Sequence, residues 1–78
     1  MKYNNPPIDP AVIHLRIKTL VEFNGTIPWV AGVCGIQKNT LESVLSGKNL
    51  PSAMTLACLS RGLSVSVDWL LFGEQTNG

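Results

Sequence analysis

Lys38, Asn39, Thr40, Glu42, Ser43 and Ser46 fall within the run KNTLESVLSGKN, and Lys48 and Asn49 close it. An ammonium group donates, a carboxamide offers donor and acceptor side by side, a hydroxyl does either, and a carboxylate accepts. Such a set suits reading the hydrogen-bonding edge of another molecule and holding an anion. It does not suit bond breaking. Cys34 and His14 are the only nucleophile and base available as a pair, and Cys34 sits in an apolar stretch. No glycine-rich phosphate loop occurs, and the five carboxylates are dispersed. Zinc takes about four ligands at close spacing. Here Cys34 and Cys58 are far apart, no CxxC occurs, and His14 is the one imidazole. No catalytic residue, metal, cofactor or small-molecule substrate is expected. The two cysteines read as reduced, packed as small hydrophobes, which implies a reducing compartment.

The polar run needs a scaffold, and the sequence punctuates one clearly. Residues 1–8, MKYNNPPI, form an arm without helical pattern. Asp9-Pro10 is a helix start, and Ile13, Ile17, Leu20 and Val21 fall on one face of a helix that stops near Phe23, before Asn24-Gly25. Thr26 caps a second helix, Ile27 to Cys34, and Pro28 is tolerated in its first turn. Gly35 ends that helix. A third runs from Lys38 to Ser46 and ends at Gly47. Ser52 caps a fourth, Ala53 to Arg61, with Leu56, Leu59 and Leu63 inward and Gly62 as its stop. Ser66 caps a fifth, VDWLLF, stopped by Gly73, and 74–78 form a flexible tail. The segment LSVSV alternates like a strand, but a lone strand has no partner, so it reads as an extended connection. The expected fold is all-α, with five short helices as a single domain over residues 9–73.

Gly35 explains the spacing around it. Two helices joined steeply by a three- or four-residue turn need a residue with positive φ, which glycine adopts at little cost. For the helices to pack, certain positions must be apolar and one must be small. Val30, Ala31 and Cys34 supply one helix, Ile36 the turn, and Leu41 and Val44 the other. Ala31 is the small residue, four before the glycine. These are the spacings of a helix-turn-helix unit. Helix three buries Leu41, Val44 and Leu45, leaving its polar residues outward.

The stretch TIPWVAGVCGIQKNTLESVLSGKNLPS, followed by LSVSVDWLLFGE, resembles the phage-repressor and Cro-like helix-turn-helix family across about Ile13 to Glu74. The matching features are the Ala, the turn Gly, the Gly-Lys after the third helix, the Pro-Ser opening the fourth, and the closing Asp-Trp-Leu-Leu. The resemblance implies a lambda-repressor-like domain that binds a double-stranded DNA operator with its third helix. Three positions depart from the pattern. Ile27 stands where Gln commonly contacts a phosphate, Gln37 where Ser or Thr commonly caps, and Glu42 on the outward face, where it repels phosphate or accepts from a cytosine amino group.

On this reading the start of helix three enters the major groove. Lys38 donates to guanine O6 and N7, and Asn39 pairs with adenine N6 and N7. Thr40, Glu42, Ser43 and Ser46 line the same face, and Lys48 and Asn49 lie near the backbone. Trp29 and Trp69 read more readily as core than as site residues, and His14 as a structural or solvated one. Trp69-Leu70-Leu71-Phe72 is more apolar surface than one short helix buries against its own domain, so Trp69, Leu70 and Phe72 are expected to form a homodimer patch.

Composition bounds these expectations. The chain has 78 residues, 45% of them hydrophobic, and a net charge of +1, which fits one folded domain and gives no basic excess. No apolar run approaches the roughly 20 residues that span a bilayer, and the N-terminus has no signal-peptide core. The expected location is therefore the cytoplasm. The low charge, Ile27 and Glu42 also fit a second reading, a repressor-like protein-interaction module of antitoxin or antirepressor type. A third is the N-terminal domain of a longer repressor.

Overall fold

The computed structural model describes residues 8–73, so the arm and tail expected over 1–7 and 74–78 lie outside the described residues. Five α-helices and no strand occupy the described residues: α1 Pro10–Asn24, α2 Ile27–Cys34, α3 Lys38–Leu45, α4 Ala53–Leu63 and α5 Val67–Phe72. Four of the five carry the side-chain cap that the sequence places there. The Asp9 carboxylate accepts from the Ala11 amide at 2.9 Å. Thr26 Oγ1 accepts from the Trp29 amide, Ser52 Oγ from the Thr55 amide, and Ser66 Oγ from the Trp69 amide. Each such cap satisfies one of the amides that a helix start leaves without an internal partner, at a worth of about 1 kcal/mol.

Spacing decides what is buried. Ile13, Ile17 and Val21 recur at every fourth position of α1, and Val30, Ala31 and Cys34 form the inner face of α2. With Leu41 and Val44 of α3, Leu59 of α4 and Leu70 of α5 they make one core. Helix α2 packs on α1, α3 and α4, while α5 closes the far side against α1 and α4. Burial pushes the Cys34 thiol above its ordinary pKa, with nearby Cys58 adding to the effect, so Cys34 remains a neutral packing group. No described helix is long and apolar enough to cross a membrane.

The structure corrects several expectations. Helix α4 runs through Gly62 to Leu63, and the residue that ends it is Ser64, in the left-handed region at φ 58°. The Ser64 and Val65 amides both return to the Ser60 carbonyl, and Ser60 Oγ donates to the Val65 carbonyl. Gly62 serves close packing instead. A Cβ there would stand 2.8 Å from Cys34 Cα, so the α2–α4 crossing admits no side chain. Leu59 is buried and Leu56 and Leu63 pack half-buried against the same core, as expected, and buried Thr55 joins them on α4. The connection expected over LSVSV shrinks to Ser64–Ser66.

Trp29 is not a core residue. It is 54% exposed, because positions 30, 31 and 34 take the inward face of α2 and its ring lies outside, over Gly25. Leu70 is the reverse case. Expected at a dimer surface, it is fully buried between α1 and α4, so it belongs to the core and not to an interface. Trp69 and Leu71 are half-buried, which leaves Phe72, at 53%, as the residue of α5 most open to contact.

Candidate functional site

The outer face of α3 stands on a turn of three residues, Gly35 to Gln37. Gly35 has φ 70° and ψ 33°; its amide donates to the Gly32 carbonyl, and the Ile36 amide donates to the Ala31 carbonyl at 2.9 Å. This paired return of amides to the last turn is a Schellman motif. It fixes the direction in which the chain leaves α2. Half-buried Ile36 then packs against the core, and Leu41 and Val44 lock α3 onto α2.

With that face buried, the opposite one is left to solvent. Lys38, Asn39, Thr40, Glu42 and Ser46 are exposed and Ser43 is half-buried. Lys38, Asn39 and Thr40 form the first helical turn. Gln37 stands at the N-cap but makes no side-chain cap hydrogen bond, unlike the capping residues of the other four helices. The first-turn amides of α3 therefore add donor capacity and the positive end of the helix dipole to the side chains around them.

Two interactions modify this face. Lys38 Nζ lies 3.9 Å from Glu42 Oε2, one turn on, and both side chains are exposed. The pair offsets part of the Lys38 charge at the site. Ser46 Oγ donates to the Ser43 carbonyl at 2.9 Å and accepts from the Lys48 amide at 3.4 Å. Its one proton is thus held within the turn, and Ser46 shapes the loop that presents Lys48 and Asn49. Both of these are exposed, at the rim of a shallow hollow that also includes His14, Val44 and Pro51.

His14 and Arg16 brace the scaffold. His14 Nε2 meets the Leu45 carbonyl at 2.6 Å, tying α1 to the end of α3. Arg16 Nη1 donates to the Leu70 carbonyl at 2.9 Å, tying α1 to α5. These links join residues far apart in sequence, and no local pattern announces them. Arg61 is exposed and lines the groove between α2 and α4. Among the described residues no group of three or more His, Cys, Asp or Glu could hold a metal.

These features define a small all-helical domain that presents a polar helix start on a rigid turn. No protein-family model matches the chain, and neither a curated protein nor a solved structure significantly similar to it was found.

Proposed function

We propose that this protein binds duplex DNA in a sequence-specific way, as a transcriptional regulator of the phage-repressor type. The carrying observation is the first turn of α3: Lys38, Asn39 and Thr40 exposed together, on a helix whose cap position lacks a side-chain bond and whose other face is locked to α2. An α-helix start of this kind fits the major groove. Lys38 and Asn39 carry the donor and acceptor patterns for guanine and adenine, the free amides suit a phosphate, and Lys48 and Asn49 flank the backbone. The resemblance of residues 13–74 to Cro-like proteins supports the same reading. The protein then acts by occupying an operator, as a symmetric pair on two half-sites, in the cytoplasm and without a cofactor.

Selection of bound sequences from random DNA, followed by a salt titration of the winner, tests this. An enriched motif is expected, together with a shallow salt slope of about two phosphates per copy, because Lys38 and Lys48 are the cations on the reading unit. No enrichment and no salt dependence would remove DNA reading.

The Lys38–Glu42 pair favours a second reading. A surface that partly neutralises its own cation suits a protein partner better than a polyanion. In that case helix three docks on a protein, and the selection yields nothing.

A further inference from the structure

We infer that the groove between α2 and α4 is a soft-metal site, in which Cys34, Cys58 and Met54 hold one monovalent copper ion through sulfur. The chain has two cysteines and two methionines. Three of these four sulfur-bearing side chains line one groove of about 560 Å³, although they come from positions 34, 54 and 58. They sit at graded depth. Cys34 is buried, Cys58 is half-buried and Met54 is 73% exposed at the rim. The set thus runs from the floor of the groove to solvent, which gives an ion a way in.

The crossing of α2 and α4 brings the sulfurs together. Met54, Cys58 and Gly62 recur at every fourth position of α4 and so share one face. Gly62 shows where that face points: the position a Cβ would take there lies 2.5 Å from Cys34 Sγ. The Cys34 thiol therefore stands over the α4 stripe. Cys58 is one turn from that point, and Met54 one turn further on. Both thiols are free, and each has a single side-chain torsion with which to close on an ion. Their nearness also registers electrostatically, because the Cys58 charge adds to burial in raising the Cys34 pKa.

The donor set selects the metal. Thiolate and thioether sulfurs favour Cu(I), which is satisfied by about two or three such ligands. Zinc takes about four and is not served by this set. On binding, two S–H bonds break, both protons pass to solvent, and two S–Cu bonds form. The Met54 thioether adds a lone pair, and no electron is transferred. Two thiolates around a monovalent cation carry one net negative charge. Arg61 lines the same groove and offsets it. The ion is not needed for the operator reading, and the inference does not rest on that reading.

The test is an anaerobic Cu(I) titration of the whole chain, in competition with a chromogenic Cu(I) chelator and without DNA. Wild type should take one ion per chain and melt at a higher temperature when loaded. Two protons should be released, so affinity should rise about 100-fold per pH unit below the thiol pKa values. Cys58→Ser, at a half-buried position, should weaken binding at least ~100-fold, and Met54→Leu about 10-fold. Arg61→Gln should weaken it about 10-fold, as loss of a supporting group outside the ligands does. Val33→Ala, on the same groove without a donor, should change nothing. Equimolar Zn(II) should not displace the ion. Melting temperatures of the metal-free variants establish that each is folded. Failure of wild type to hold Cu(I) against the chelator, one ion shared by two chains, or binding by Cys58→Ser and Met54→Leu equal to wild type would overturn the assignment. Because no DNA is present, such a result leaves the DNA reading standing.

Discussion

At the scale of residues, the outward face of α3 divides labour. Lys38 and Asn39 project from the first turn with no packing role, so their truncation should change stability by no more than the ~0.3–0.5 kcal/mol of the exposed Lys38–Glu42 pair. Lys38→Ala and Asn39→Ala are each expected to lower affinity for the selected site by roughly 1–3 kcal/mol and to relax preference at one base position, read by titration on a panel of single-base variants. Glu42 should act in the opposite sense. Glu42→Gln removes the carboxylate 3.9 Å from Lys38 Nζ, freeing the cation and lifting a repulsion toward phosphate. Binding should tighten and its salt slope should steepen by about one unit. An exposed pair one turn apart stabilises a helix by only ~0.3–0.5 kcal/mol, so the melting temperature should fall slightly while affinity rises. Opposite movements in those two readouts separate a functional charge from a structural one.

At the scale of elements, three glycines of the α2–α4 region look alike in sequence and differ in role. Gly35 has open space around it but a φ of 70°. Gly35→Val is expected to destabilise the domain by about 1–3 kcal/mol through backbone strain alone. Gly62 has an ordinary helical backbone and no room. Gly62→Ala improves helix propensity by up to ~1 kcal/mol, yet it should still destabilise by about 1–3 kcal/mol because its Cβ meets Cys34. Gly32 lies within α2 with nothing near its Cβ position, and Gly32→Ala should stabilise by about 0.5–1 kcal/mol. Denaturant titrations of the three variants check the signs. The cap residues Asp9, Thr26, Ser52 and Ser66 were legible because capping is local chemistry, and so was the turn at Gly35. Gly62 was not, since a glycine after Arg61 reads as a stop, and only Cys34, brought across from α2, reveals a crossing point. The end of α4 at Ser64 was hidden for a related reason: a non-glycine residue in the left-handed region has no compositional signature.

At the scale of the whole molecule, the run Trp69-Leu70-Leu71-Phe72 is where sequence and structure part most. Four apolar residues in succession look interchangeable, and which of them is inward depends on how α5 is set against α1 and α4. The exposed polar set on α3 was legible, because burying Leu41 and Val44 forces Lys38, Asn39 and Thr40 outward. The partners of Ser46, His14 and Arg16 were not, since each is a carbonyl that folding delivers. The partition within α5 has a direct test in thermal melts at low concentration. Leu70→Ala should lower stability by about 2–5 kcal/mol, as large-to-small changes in a packed core do. Phe72→Glu should change it by less than ~0.5 kcal/mol while altering association. Equal effects from the two would return Leu70 to the surface.

The Arg16–Leu70 link bears on how the chain folds as it is made. Its partners lie 54 positions apart, so the side of the core that Leu70 fills stays open on the ribosome until α5 has emerged. During that interval α2 and α3 are already present with Ile17 and Leu59 beside an unfilled space, and the long loop between Arg16 and α5 is unclosed. Closing it has an entropic cost that growing loop length raises only slowly. Helix α3 is thus synthesised well before α5 arrives to fill the side of the core that Leu70 occupies.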